Sequence, residues 1–256
     1  MERHQQRNAI GTGAAPAEPD AHSSLSWEGA VNAHHVAGGL YRMGRSEWLT
    51  PAGWQQMQDD GVRTVLDLRN PGERSRRPTD PELPEGWEPR IAVVNCPTED
   101  QTNAEFMAQV GAYLSDPAYY AANVRLFPDR IADVFRHVGA AAERGAVVIH
   151  CSAGRDRTGL IVSLALQLAG RTDLIEEQYA VALRGINAWH AVSSVKHPYE
   201  SHLEPAELAR ILDAKLGRLR EFLDAMDVEA LLRRPGGDPA AGLGDAEIEA
   251  VRRLLG

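Results

Sequence analysis

The stretch Val147-Val148-Ile149-His150-Cys151-Ser152-Ala153-Gly154-Arg155-Asp156-Arg157-Thr158-Gly159 constrains this chain more than any other segment. The β-branched run at 146–149 reads as a buried strand, and the apolar run at 158–169, closed by Gly170, reads as a buried helix. Residues 151–157 must therefore turn the chain between the two. A tight turn into a helix N-terminus aims several backbone N–H groups at one point, where the positive end of the helix dipole adds to them. The backbone alone thus makes an anion site, and Gly154 allows the curl.

The side chains on that turn add chemistry. A thiol at its mouth, Cys151, feels the N–H groups, Arg157 and Arg155, all of which favour thiolate over thiol. Arg157 can hold two phosphate oxygens in a bidentate fork and gains most on the equatorial oxygens of a trigonal-bipyramidal transition state. The Thr158 hydroxyl is placed to donate to the thiolate when Cys151 leaves. His150 faces the other way and orients the loop through backbone hydrogen bonds. Ser152, Ala153, Gly154, Arg155, Asp156 and Arg157 form the expected phosphate-binding set.

Cys-x5-Arg followed by Thr, with His before the Cys and Gly three after it, resembles the phosphate-binding loop of the cysteine-dependent protein tyrosine phosphatase superfamily. The flanks narrow the resemblance. Gly39-Leu40-Tyr41-Arg42-Met43-Gly44-Arg45, Leu49-Thr50 and Gly61-Val62-Arg63-Thr64-Val65-Leu66-Asp67-Leu68-Arg69 are similar to the start of bacterial tyrosine phosphatases with a lipid-phosphatase-like loop. Ile175-Glu176-Glu177-Gln178-Tyr179 and Gly242-Leu243-Gly244-Asp245-Ala246-Glu247-Ile248 resemble that family's later helices, so the likeness covers residues 27–255. Two departures stand out. Where the family opens with an Asn-Phe-Arg-Asp-Leu-Gly-Gly-like segment, this chain reads Val31-Asn32-Ala33-His34-His35-Val36-Ala37-Gly38-Gly39. Where dual-activity members carry Lys-Asp in the loop, it has Arg155-Asp156, a planar fork in place of a mobile point charge.

The resemblance implies an α/β fold with a central, mainly parallel sheet flanked by helices, a helical insertion and a helical C-terminal part. It implies a metal-independent phosphomonoesterase without cofactor, acting through a phosphocysteine. Phosphotyrosine protein is the first expected substrate, with phosphoserine, phosphothreonine or phosphoinositide as further ones. Such a mechanism needs an acid for the leaving oxygen that later serves as base for water. Asp67 closes the apolar strand 64–68 and matches the family's Asp-Leu-Arg element; Asp156 lies in the loop, and its counterpart in related lipid phosphatases has the acid role; Asp100 is a third candidate. Arg69, Arg74, Arg76 and Arg77 crowd the segment after Asp67, either to grip a second phosphate or to pair with nearby acids.

Two cysteines imply no disulfide framework, so a reducing cytoplasm is expected, although export without a cleavable signal stays open. Cys96 closes the strand 91–95 at the same sheet edge as Cys151. It is either a redox partner that protects the nucleophile or a small buried hydrophobe.

With 43% apolar residues among 256, the chain can bury one good core. The first 26 residues lack an apolar period and read as a disordered leader before a single domain, 27–256. No signal peptide and no run long enough to span a bilayer is visible. Strands are expected at 39–43, 63–68, 90–95 and 146–150. Residues 98–144 read as a helical insertion of two or three helices broken near Asp116-Pro117 and Phe127-Pro128, either a mobile lid or a fixed layer. After Gly170 helices continue almost to the end, with turns at His197-Pro198, Glu204-Pro205 and 234–239. A net charge of −9 argues against nucleic acid and against anionic membrane surfaces as partners. The sequence itself leaves oligomeric state unread.

Two other classes compete. A rhodanese-like sulfurtransferase also places a Cys at the start of a helix, but the His before Cys151 and the Arg-Thr after it favour phosphate. A pseudophosphatase module that binds without turnover usually lacks the Cys or the Arg, and both are present.

Overall fold

The computed structural model describes residues 25–195 and 200–256; all but the end of the expected leader, and the turn at His197-Pro198, lie outside them. The β-branched run sets the architecture. Val147 and Ile149 pack with Ile131, Phe135 and Leu160 on one face of a sheet, and Val148 packs with Met43, Met57 and Val65 on the other, as the two-residue period of a strand requires. A strand buried on both faces needs helices on both sides, and the chain supplies them.

The strands are β1 (His34–Ala37), β2 (Leu40–Met43), β3 (Val62–Asp67), β4 (Ala92–Asn95) and β5 (Ala146–His150), in the order β1-β2-β5-β3-β4. Only β1 and β2 run antiparallel; β2, β5, β3 and β4 are parallel to their neighbours. Helix α1 (Pro51–Asp59) covers one face with Trp54 and Met57, capped by the Thr50 hydroxyl, which accepts from Gly53 N. Helices α4 (Pro128–Ala142), α5 (Asp156–Leu168) and α9 (Asp245–Leu255) cover the other.

The expected strands are all present, each within two residues of its expected limits. β1 is an addition, because a His-His pair carries no strand signal; both imidazoles are nevertheless buried. A second difference bears on the site: α5 begins at Asp156 rather than at Thr158, so Asp156 and Arg157 stand in its first turn. Helices α2 (Ala104–Gln109) and α3 (Tyr120–Leu126) precede α4, with breaks at Asp116, whose carboxylate caps Ala118 N, and at Phe127. Phe106, Tyr120 and Phe127 of this segment are buried, and Tyr113, Leu114 and Ser115 reach the cavity described below. Helices α6 (Ile175–Val192), α7 (Pro205–Asp224) and α8 (Val228–Arg233) complete the helical part.

Candidate active site

The loop between β5 and α5 is shaped from outside. His150 Nδ1 lies 3.0 Å from the Cys151 carbonyl, and Arg45 N donates to Ser152 O at 3.0 Å. Asn32 Nδ2 donates to Ala153 O at 2.9 Å. Arg42 Nη2 donates to Gly154 O at 2.7 Å and to Arg155 O at 3.3 Å. Five consecutive carbonyls thus find their donors behind the loop, which leaves the N–H side of those peptides for the concave face. Gly154 makes the curl at φ 71°, and a Cβ there would collide with the Met43 carbonyl of β2, so no other residue fits. Arg42 is fully buried; burial lowers its pKa to about 10, still far above neutrality, and it serves as a cationic peg beneath the loop.

Cys151 is 3% exposed and lines a cavity of about 220 Å³ with Ser152, Ala153, Arg155, Asp156 and Arg157. The Arg157 guanidinium is held by two acids. Nη1 and Nη2 donate to Glu73 at 2.6 and 2.8 Å as a fork, Nη1 donates to Glu99 at 3.3 Å, and Nη2 reaches Ser152 Oγ at 3.3 Å. The distal edge is therefore fixed by the protein, and the Nε side remains for a ligand. Thr158 Oγ1 is buried with no hydrogen-bond partner among the described residues.

The three candidate acids part company. Asp67 is 1% exposed and does not line the cavity. Its carboxylate accepts from Arg69 Nε at 2.9 Å, Arg69 Nη2 at 2.7 Å and Arg74 Nε at 3.1 Å. Burial opposes its charge, but His150 and Arg69 outweigh burial and hold the pKa near about 2. Asp100 lies away from the cavity, paired with Arg130 at 2.8 Å. Asp156 lines the cavity; burial raises its pKa against the pull of Arg155 and Lys215. Its Oδ2 accepts from Arg155 Nε at 2.7 Å and its Oδ1 from the Tyr179 hydroxyl at 3.1 Å, while its backbone carbonyl accepts from the Tyr120 hydroxyl at 2.8 Å. Arg155 turns its other two nitrogens to Glu200, at 3.1 and 2.7 Å, rather than into the cradle.

Of the four clustered arginines, Arg77 lines the cavity, whereas Arg69 and Arg74 pair with Asp67 and Arg76 donates to Pro81 O. Cys96 sits in the apolar cluster, and burial pushes its thiol up to about 12. Asp67 pairs with Asn95 on one side and with His150 on the other, so the cysteines that follow flank β3 on opposite sides. Two strand spacings, about 9 to 10 Å, separate them, beyond the roughly 7 Å between Cα atoms that a disulfide spans.

Sequence reasoning missed Asn32, Arg42, Glu73, Glu99 and Glu200. Each acts on the loop across 58 to 121 residues of chain except Glu200, which is 45 residues from Arg155. Glu99 is buried, and burial, opposed by Arg157, raises its pKa to about 7. Because the folded state holds this proton more tightly than the unfolded chain, the protein gives up stability as pH rises from about 4.5 to about 7, on the order of 3 kcal/mol for a shift of that size. Glu99→Gln should flatten the pH dependence of thermal unfolding across that window; an unchanged slope would show that Glu99 titrates normally.

Two aromatic rings also frame the mouth: Trp48 and Trp189, tilted at 40° with centroids 4.8 Å apart, line the cavity. Among the described residues no helix is long and apolar enough to cross a membrane.

Comparison with known proteins agrees with this geometry. Residues 29–255 match the family described as the tyrosine phosphatase family. The triple-specificity protein phosphatase PtpB of Mycobacterium tuberculosis is 26% identical over 252 residues, covering 85% of this chain and 91% of that protein. A putative tyrosine-protein phosphatase of Cupriavidus necator is 30% identical over 197 residues, covering 74% and 69%. A tyrosine-protein phosphatase of Nostoc commune is 31% identical over 130 residues, covering 48% and 43%. With nearly all of its described length inside the family match, and the strand, loop and helix in the expected order, the chain belongs to the tyrosine phosphatase family.

Proposed function

We propose that this phosphatase hydrolyses phosphotyrosine in proteins through a phosphocysteine on Cys151. Cys151 Sγ attacks phosphorus; the loop N–H groups, together with the free side of Arg157, hold the equatorial oxygens; Asp156 protonates the leaving phenolate and then takes the proton of the water that cleaves the S–P bond. The observation that carries the reading is the outward turn of the carbonyls of residues 151–155, which prepares an anion cradle around a cysteine.

Asp156 is preferred over Asp67 because it lines the cavity and burial favours its protonated form, whereas Asp67 is bound up with Arg69 and Arg74. Asp67 braces the loop after β3 through Arg69 and Arg74. Thr158, with its unpaired hydroxyl, is assigned to Cys151 as leaving group in the second step. The Trp48–Trp189 pair supports an aryl substrate, since flat apolar walls suit a phenyl ring. Phosphoserine, phosphothreonine and phosphoinositide remain further substrates of the proposal; the description of the Mycobacterium relative as a triple-specificity protein phosphatase supports a range wider than phosphotyrosine. A reducing cytoplasm suits a chain whose two cysteines are free.

The test compares leaving groups. Asp156→Asn should lower kcat for a phosphotyrosine peptide by a factor on the order of 10² to 10⁴, and far less for an aryl phosphate whose phenol is a strong acid and leaves unaided. Equal losses on the two substrates would remove Asp156 from the acid role.

A further inference from the structure

The carboxylate facing Arg155 belongs to the connection between α6 and α7, where no motif stands. Arg155 Nη1 and Nη2 donate to Glu200 at 3.1 and 2.7 Å, and Nε donates to Asp156 at 2.7 Å; Arg155 is 7% exposed and Asp156 5%. His190 Nε2 lies 3.4 Å from Glu200 Oε2, the oxygen that also accepts from Arg155 Nη1. A guanidinium has two edges that can fork a carboxylate. Glu200 holds the distal one, and Asp156 receives one N–H from Arg155, at Nε.

We propose that Glu200 is a positioning residue for the leaving-group proton: by clamping the far edge of Arg155, it keeps that guanidinium from turning its distal fork onto Asp156, offsets its charge there, and so keeps Asp156 able to hold a proton and release it. The inference rests on the assignment of Asp156 as acid. The proton passes from Asp156 to the leaving oxygen as the P–O bond breaks and the S–P bond forms, and it returns from water when the S–P bond is cleaved. Other charged or titratable groups face Asp156: Cys151 in the loop, Arg42 from β2, Glu99 after β4, Tyr120 from α3, Tyr179 from α6 and Lys215 from α7, with His190 beside Glu200. Glu200→Gln alters none of these side chains itself. Removing its charge leaves Arg155 to act on Asp156 undivided, which favours the carboxylate.

The experiment measures kcat/KM against pH for a phosphotyrosine peptide and for an aryl phosphate with a strongly acidic phenol, in wild type, Glu200→Gln, Glu200→Asp and Asp156→Asn, with inhibition by inorganic phosphate alongside. In Glu200→Gln the descending limb for the peptide should move to lower pH by about one unit, which is tenfold in proton affinity. Phosphate inhibition should stay within twofold, the acidic phenol substrate should change little, and Glu200→Asp should restore the limb. A limb that is lost in Asp156→Asn but unmoved in Glu200→Gln overturns the role of Glu200 alone. So does a Glu200→Gln effect confined to KM and phosphate inhibition, because Arg155 would then be acting on the phosphoryl group. A limb that persists in Asp156→Asn overturns the Asp156 assignment and this inference with it.

Discussion

Replacing Cys151 with Ser is expected to lower hydrolysis of a small aryl phosphate by a factor on the order of 10⁴ or more, measured with a chelator and a thiol reductant present. The hydroxyl is a poor nucleophile unless a base takes its proton, and His150, its neighbour in sequence, lies with Nδ1 against the Cys151 carbonyl. The loop is shaped by groups outside it, so Cys151→Ser should keep the cradle and still be stabilised thermally by an added phosphate analogue. Turnover within tenfold of wild type would show that a different group attacks. Loss of turnover together with loss of anion binding would point to a collapsed loop rather than to a missing nucleophile.

Arg157→Lys is the second large effect, with kcat expected to fall by a factor on the order of 10³ although the charge is kept. A lysine ammonium is a single point; it cannot satisfy the Glu73 fork, reach Glu99 and still offer a flat edge to phosphate. Arg157→Ala is a poorer probe, because it strands two carboxylates, one of them fully buried, a change that typically costs about 3 to 5 kcal/mol. The kinetics should therefore be read in the lysine variant, with thermal unfolding recorded for each. A lysine variant with near-normal kcat would mean that the backbone cradle alone holds the transition state.

The strand, loop and helix around Cys151 were legible because their signals are local: β-branched residues in a run, a glycine with positive φ, an apolar helix closed by Gly170. The helix start slipped by two residues because Asp156 and Arg157 look like loop residues when judged by polarity, although acids suit a first turn. Asp67 and Asp156 could not be ranked from sequence, since the ranking depends on which one the arginines enclose. Asn32 lay in a segment that departs from the family's usual opening, and its hold on Ala153 spans 121 residues, a distance over which no pattern carries. The same holds for the acids on Arg157: Glu73 belongs to a short turn after β3 and Glu99 to the segment after β4, and only the sheet order brings them to α5.

Arg42 and Asn32 have a consequence for how this protein tolerates inherited change. The cradle is completed by a buried guanidinium on an inner strand and by an amide just ahead of β1, neither of which faces the cavity. A substitution at either position would count in a mutational survey as loss of activity, although neither side chain meets the substrate's cavity. The genetic footprint of the enzyme's chemistry is thus wider than its cavity, and begins more than a hundred residues before Cys151.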